Sequence, residues 1–301
     1  MSFALVFAGQ GTQHPAMLPW LAEDDIVHST CAALGITDWR ERLSDRTWAA
    51  ANANAQVLLT GLALAAWQQI APGLPAPACV AGYSVGELAA FSTAGVFEPP
   101  RALELARRRA LAMDRCAAQV PGGLLAVTGL LPAAIDALCA DSGVVVAIRN
   151  GADSVVLGGP EAMLDAADRA ATRRGARVTR LCVGVASHTP WMAEAARAFE
   201  ARLAAQPFAA PRIPLLSNAA GRVRDAAQAR SALARQLDHT VRWDECMEGI
   251  AARRVRCVLE IGPGQALARM WNQRHPDIPA RSADEFRSAG GIVGWIGRHA
   301  D

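Results

Sequence analysis

At 301 residues the chain is long enough to bury a sizeable core, as one large domain or one with an insert. With 52% hydrophobic residues, 19% charged residues and a net charge of +2, it is not a disordered chain, and its charge gives no argument for nucleic acid or a membrane surface as main partner. Every basic residue is arginine, so neither a lysine base nor Schiff-base chemistry is available.

The chain opens on an apolar strand, Phe3–Phe7, followed by the loop Gly9-Gln10-Gly11-Thr12-Gln13. The start lacks the basic residues and long apolar stretch of a signal peptide, and no apolar run is long enough to span a bilayer. The apolar face of Val57, Leu58, Leu62, Leu64, Ala65 and Trp67 predicts a helix over Asn54–Ile70. A buried strand over Ala78–Ala81 leads into Gly82-Tyr83-Ser84-Val85-Gly86, and a helix follows over Val85–Ala94. Pro99-Pro100 then starts another helix, running to about Ala117. This alternation predicts a parallel sheet with crossover helices.

The pattern changes at the next segment. Strands are expected at Gly123–Val127, Val144–Ile148, Ser154–Leu157 and Arg177–Val183, with helices at Ala133–Ala140 and Pro160–Arg174. The order β-α-β-β-α-β is that of a ferredoxin-like unit. The expected fold class is therefore α/β: a hydrolase-like parallel-sheet core formed by residues 1–118 and 186–301, with a small ferredoxin-like subdomain inserted at 119–185. Beyond it come a helix at Pro190–Ala205, a strand at Ile213–Ser217 and helices at Ala226–Leu237 and Trp243–Arg253. The strand Cys257–Ile261 ends in Gly262-Pro263-Gly264, a helix follows, and Gly290–Trp295 reads as a short closing helix.

The seven cysteines (Cys31, Cys79, Cys116, Cys139, Cys182, Cys246 and Cys257) are scattered, with no C-x-x-C. That argues against a disulfide framework or a zinc site and fits a reduced, cytoplasmic protein. The chemistry centres on the G-x-S-x-G pentapeptide. A serine between strand and helix has its hydroxyl pushed outward, and the helix N-terminus aims free N–H groups at charge that develops beside it. Such a serine needs a base, because its own pKa leaves it unreactive at neutral pH. Of six histidines, His188 stands best, between a strand and a helix in Ser187-His188-Thr189-Pro190. No aspartate stands out to orient it, so a backbone carbonyl is the expected partner of its Nδ1–H. The bland alternatives are a tight βα turn at Ser84 and a capping or surface role for His188.

These residues resemble the malonyl-CoA:acyl carrier protein transacylases along nearly the whole chain. Phe7-Ala8-Gly9-Gln10-Gly11-Thr12-Gln13 is similar to that family's F-P-G-Q-G-S-Q, and Gly82-Tyr83-Ser84-Val85-Gly86-Glu87 to its G-H-S-L-G-E. Arg109, 25 positions after Ser84, stands where the family places a carboxylate-binding arginine. Ser187-His188, Arg235-Gln236-Leu237 before Val241-Arg242-Trp243, and Glu260-Ile261-Gly262-Pro263-Gly264 complete the set. The resemblance implies Ser84 as nucleophile, His188 as its base, and backbone N–H groups of Gln10 and Val85 as the oxyanion hole. It implies Arg109 as the clamp for a malonyl carboxylate and Gln236 as support for the His188 side. It also implies no bound cofactor, malonyl-CoA as substrate, CoA as product and an acyl carrier protein as partner.

The chain departs from the pattern at Ala8 and at Tyr83, where the family usually has proline and histidine. Gly-Tyr-Ser-Val-Gly-Glu looks more like the transacylase subunit of malonate decarboxylase, which makes other decarboxylase subunits possible partners. The alternatives are the transacylase of fatty-acid or polyketide synthesis, a relative that takes a substituted malonyl group, a serine thioesterase, and a non-enzymatic carrier-docking scaffold.

Overall fold

The structure, a computed structural model, describes residues 2–300. In chain order the elements are β1 (Phe3–Phe7), α1 (Asp25–Leu34), α2 (Trp39–Arg42), α3 (Arg46–Ala50), α4 (Asn52–Ile70), β2 (Cys79–Gly82), α5 (Gly86–Thr93) and α6 (Pro99–Gln119). There follow β3 (Gly122–Thr128), α7 (Pro132–Ser142), β4 (Val145–Arg149), β5 (Ser154–Pro160), α8 (Glu161–Arg173), β6 (Arg177–Arg180) and α9 (Ala193–Ala204). The last are β7 (Leu215–Ser217), β8 (Gly221–Val223), α10 (Ala226–Arg235), β9 (Val241–Arg242), α11 (Trp243–Ala251), β10 (Cys257–Ile261), α12 (Ala266–Arg274), β11 (Ala280–Ser282) and α13 (Ala289–His299).

The larger sheet has the order β11-β10-β1-β2-β7-β8 and is parallel apart from the β7–β8 hairpin. All five residues of β1 are buried, as a central parallel strand requires. Its side chains divide by the two-residue period of a strand. Phe3, Leu5 and Phe7 join the core built with α4, α5 and α6, while Ala4 and Val6 join a second core with α11 and α12.

The smaller sheet has the order β6-β3-β5-β4-β9. Its first four strands pair antiparallel. Leu125 and Val127 of β3 pack with Ile135, Leu138 and Leu164, so α7 and α8 cover one face. Leu124, Ile148 and Val156 turn the other way, into the core shared with Ala4 and Val6 of the large sheet. The small sheet is thus packed on both faces, and the cleft forms where its second face meets the carboxyl ends of β1 and β2.

Several expectations are corrected. The strand expected to run to Val183 stops at Arg180, and the chain from there to Thr189 is irregular. The strand expected from Ile213 begins at Leu215, and the helix expected to end at Arg253 ends at Ala251. The short strands β8, β9 and β11 were not expected, nor were α1–α3. Each of these three helices is capped by an aspartate, Asp24, Asp38 or Asp45, whose carboxylate accepts first-turn N–H groups. Finally, β9 lies beyond residue 185 yet pairs in parallel with β4, so the small sheet recruits a strand from the second segment of the core.

Candidate active site

Ser84 sits on the three-residue corner between β2 and α5, with φ of +53°, a left-handed conformation costly for a side chain that bears a Cβ. The flanking glycines permit it. A Cβ on Gly82 would lie 2.2 Å from the Gly86 backbone, and one on Gly86 would lie 2.3 Å from the Phe7 carbonyl oxygen. The corner is pinned from outside by Asn218, just past β7: its Oδ1 accepts the Ser84 N–H at 2.9 Å, and its Nδ2 donates to the Gly82 carbonyl at 2.6 Å.

His188 meets this corner. Its Nε2 lies 2.8 Å from Ser84 Oγ, and its Nδ1 lies 2.6 Å from the carbonyl oxygen of Gln236. A carbonyl only accepts, so Nδ1 carries the proton and the Nε2 lone pair is left to accept from the serine hydroxyl. The expected backbone-carbonyl partner is therefore that of Gln236. His188 is buried, with φ of +64°, and its own N–H donates to the Leu237 carbonyl. Burial first, then the charge of Arg109, holds its pKa down at about 3, against the pull of the Gln236 carbonyl, so the ring is neutral at rest.

Arg109 is not the exposed helix arginine that its run Arg107-Arg108-Arg109 suggests: only 2% of it reaches solvent. Its Nη1 donates to Gln56 Oε1 at 2.8 Å and its Nη2 to Gln236 Oε1 at 2.7 Å. Burial lowers its pKa to about 10, with the Glu87 charge opposing, which leaves it charged at neutral pH. Behind it the chain of bonds continues: Gln56 Nε2 donates to Asn52 Oδ1, and Asn52 Nδ2 to Asp114 Oδ1. The side chain of Gln236 also donates to the Ser84 carbonyl at 2.6 Å and to Glu87 Oε2 at 2.8 Å. Burial pushes the Glu87 carboxyl up to about 7, against the Asn218 N–H, the Ser217 hydroxyl, Arg109 and the Gln236 amide.

These groups share a narrow cleft of about 50 Å³ whose lining includes Gln10, Gln56, Ser84, Arg109, Ser187 and His188. Apolar walls come from residues that include Met113, Leu124, Ile148 and Val185, and Tyr83 lines it as well. The backbone N–H of Val85, at the start of α5, has no acceptor within the protein among the described residues, and the same holds for Gln10 in the loop after β1. Tyr83 points away from the serine: its hydroxyl donates to Asn150 Oδ1 at 3.1 Å, and its ring meets Trp243 edge-on. The Glu260–Gly264 motif works from below. Glu260 accepts the N–H groups of Leu267 and Ala268 at the start of α12, and the Pro263 carbonyl accepts the Thr12 hydroxyl, tying down the loop that carries Gln10.

The structure thus brings Ser84, His188, Arg109 and Gln236 together through direct hydrogen bonds, with Gln10 and Val85 beside them and Tyr83 also lining the cleft. The sequence reading missed Asn218, Gln56 and Asn52, and gave Glu87 no work. A signal for the α4 pair was present, since Asn52 and Gln56 stand four apart at the start of a largely apolar helix.

A serine at a strained strand–helix corner, hydrogen-bonded to a neutral imidazole in a cleft, is the arrangement used for acyl transfer through a serine ester. The chain belongs to the acyl transferase family, whose acyl transferase domain matches residues 47–292. It is 34% identical to the malonyl CoA-acyl carrier protein transacylase of Salmonella typhimurium, over 94% of this chain and 96% of that one. The crystal structure of an acyl-carrier-protein S-malonyltransferase from Burkholderia pseudomallei superposes with a TM-score of 0.89 at 31% identity, covering 98% of this chain and 100% of that one. A malonyl-transacylase solved in complex with its type II PKS acyl-carrier protein gives a TM-score of 0.91 at 28% identity, covering 98% and 99%.

Proposed function

We propose that the protein moves a malonyl group from malonyl-CoA to the thiol of an acyl carrier protein through a malonyl ester on Ser84. The observation that carries the reading is the hydrogen-bonded line from Ser84 Oγ through His188 to the Gln236 carbonyl, with the buried, charged Arg109 bonded to the same Gln236. Ser84 Oγ attacks the thioester carbonyl while His188 Nε2 takes the hydroxyl proton. The N–H groups of Gln10 and Val85 face the oxyanion, each such donor being worth about 3 kcal/mol. The C–S bond breaks, CoA leaves with the proton from His188, and the ester remains. The carrier thiol then gives its proton to His188 and attacks the ester; the C–Oγ bond breaks, and Ser84 Oγ takes that proton back from His188. Arg109 pairs with the free carboxylate, for which a planar guanidinium suits two parallel hydrogen bonds. No metal takes part in this scheme, and the only CoA involved is substrate or product.

The matched relatives are transacylases, one of them paired with a type II PKS carrier, so the transacylase of fatty-acid or polyketide synthesis stands ahead of the malonate decarboxylase subunit. Tyr83 beside the nucleophile is the feature that speaks for the decarboxylase reading. Transfer assays against both kinds of carrier separate the two. A cytoplasmic location belongs to the same reading, supported by seven cysteines that are all unpaired. So does the division into a core of 1–118 and 186–301 and a subdomain of 119–185, which its separate apolar core supports. Ser84→Ala is expected to abolish the malonyl adduct seen by intact-mass spectrometry after mixing with malonyl-CoA. An adduct on that variant sinks the assignment, and rapid turnover of malonyl-CoA without any carrier points to a thioesterase.

A further inference from the structure

Glu87 lies beneath the elbow, fully out of solvent, and the scheme above gives it no part. Its two oxygens serve two different segments. Oε1 accepts the backbone N–H of Asn218 at 2.5 Å, and Oε2 accepts Gln236 Nε2 at 2.8 Å. The Gln236 amide is the piece that matters for the cleft, because its two ends have opposite needs. Its Nε2 donates to Glu87 and to the Ser84 carbonyl, while its Oε1 accepts from Arg109 Nη2. Turned over, the amide would set an NH₂ group against a guanidinium, and an oxygen against a carboxylate and a carbonyl. None of those pairs makes a hydrogen bond. A carboxylate, which accepts at both oxygens, therefore reinforces the one orientation that the Ser84 carbonyl and Arg109 also demand. That orientation offers Arg109 an acceptor and aligns its guanidinium.

We propose that Glu87 is a positioning residue that locks the Gln236 amide and, through it, sets Arg109 for carboxylate-tipped acyl groups. The inference rests on the reading of Arg109 as the carboxylate clamp. Acyl groups without a carboxylate do not depend on this lock.

The experiment measures acylation of Ser84 by malonyl-CoA and by acetyl-CoA, above neutral pH, in Glu87→Gln, Arg109→Ala, Gln236→Ala and the Glu87→Gln/Gln236→Ala double variant. Glu87→Gln replaces one acceptor by an NH₂ donor and takes away one of the two acceptors that hold Gln236 Nε2, leaving the Ser84 carbonyl alone to hold it. Malonyl acylation is expected to fall about tenfold or more and acetyl acylation less than about threefold, as for loss of a charge-assisted hydrogen bond. On top of Gln236→Ala the same change is expected to add less than about twofold, because the residue through which it acts is gone. Equal losses for both acyl groups, a full effect in the Gln236→Ala background, or no effect at all overturns the proposal. If Arg109→Ala does not separate the two acyl groups, the clamp reading falls and this inference with it. If Arg109→Ala separates them and Glu87→Gln does not, this inference alone falls. Should Glu87→Gln fail to fold, Glu87→Asp keeps the charge and withdraws the oxygens by one methylene. It is expected to show the same malonyl-selective loss, and an unchanged malonyl-to-acetyl ratio overturns the proposal.

Discussion

At the serine end of the cleft the backbone makes the geometry, whereas at the arginine end side chains make it. Ser84 and His188 both hold left-handed φ values, and the glycines beside Ser84 leave no room for a methyl group. Arg109 lies on an ordinary helix, and its direction is set by two glutamine oxygens from α4 and the end of α10. A strained backbone is held by everything packed around it, while a guanidinium between two amides depends on those amides and on the few groups that hold them. Changes at the first end are therefore expected to affect every acyl group, and changes at the second end only those that carry a carboxylate.

The largest expected effect is at the serine end. His188→Ala removes the acceptor for the serine proton, so acylation at neutral pH falls by about 10²–10⁴-fold, the usual worth of a positioned base. Malonyl-CoA and acetyl-CoA lose alike, which a stopped-time mass measurement of the acyl-enzyme reads directly. A loss confined to malonyl-CoA breaks the contrast between the two ends.

Next in size is Gln56→Leu at the other end. It removes the acceptor of Arg109 Nη1 and leaves a buried charged donor unpaired, at a cost of about 1–3 kcal/mol. Part of that cost falls on stability and part on the aim of the guanidinium. Malonyl acylation is expected to drop about tenfold while acetyl acylation changes less than about twofold. Equal losses for the two acyl groups mean that Gln56 only holds α4 against α6.

The two ends were not equally legible in the sequence. The elbow could be read because its requirement is local: Gly-x-Ser-x-Gly between an apolar run and a helix states the strain within five residues. Arg109 is placed by resemblance, although the spacing of Ala102, Leu105, Ala106, Met113 and Cys116 sets it on the apolar face of α6 and leaves Arg107 and Arg108 on the exposed one. Gln236 too is placed by resemblance and Asn218 is not placed at all, each reaching Ser84 from more than a hundred positions away. The two-residue strand β9 shows no periodicity to detect, and it joins the smaller sheet because α11 and the turn after β7 bring it there. The segment after Arg180 looks like more strand because it remains apolar. It leaves the sheet so that His188 can reach the serine.

A smaller effect is expected from pH. A histidine with the ordinary pKa of about 6.5 keeps only about 3% of its neutral form at about pH 5. Burial and the nearby Arg109 charge hold His188 at about 3, so the base remains neutral across that range. Acylation by acetyl-CoA, which brings no titrating carboxyl of its own, is expected to change less than about threefold between about pH 5 and about pH 8. In Arg109→Ala the second cause of the low value is gone and the acid limb moves up. A limb centred near the ordinary histidine value in the unaltered protein contradicts the burial of this ring.

The smallest effect belongs to the seam behind both ends. Tyr83 is part of the elbow, yet its hydroxyl bonds Asn150, just past β4 in the smaller sheet, and its ring rests on Trp243 of α11. It therefore ties the nucleophile corner to the smaller sheet, and its hydroxyl bonds neither reacting end. Tyr83→Phe keeps the ring and its edge-to-face contact and removes only the hydrogen bond. The cost is about 1 kcal/mol, or about 2 °C in Tm for a chain of this size. Acylation by both acyl groups is expected to stay within about twofold, because the Ser84–His188 line and the Arg109 pair are bonded independently of the hydroxyl. A large, malonyl-selective loss instead would place Tyr83 with the arginine end. It would also mean that the smaller sheet transmits its position to the acyl pocket and does not merely cover it.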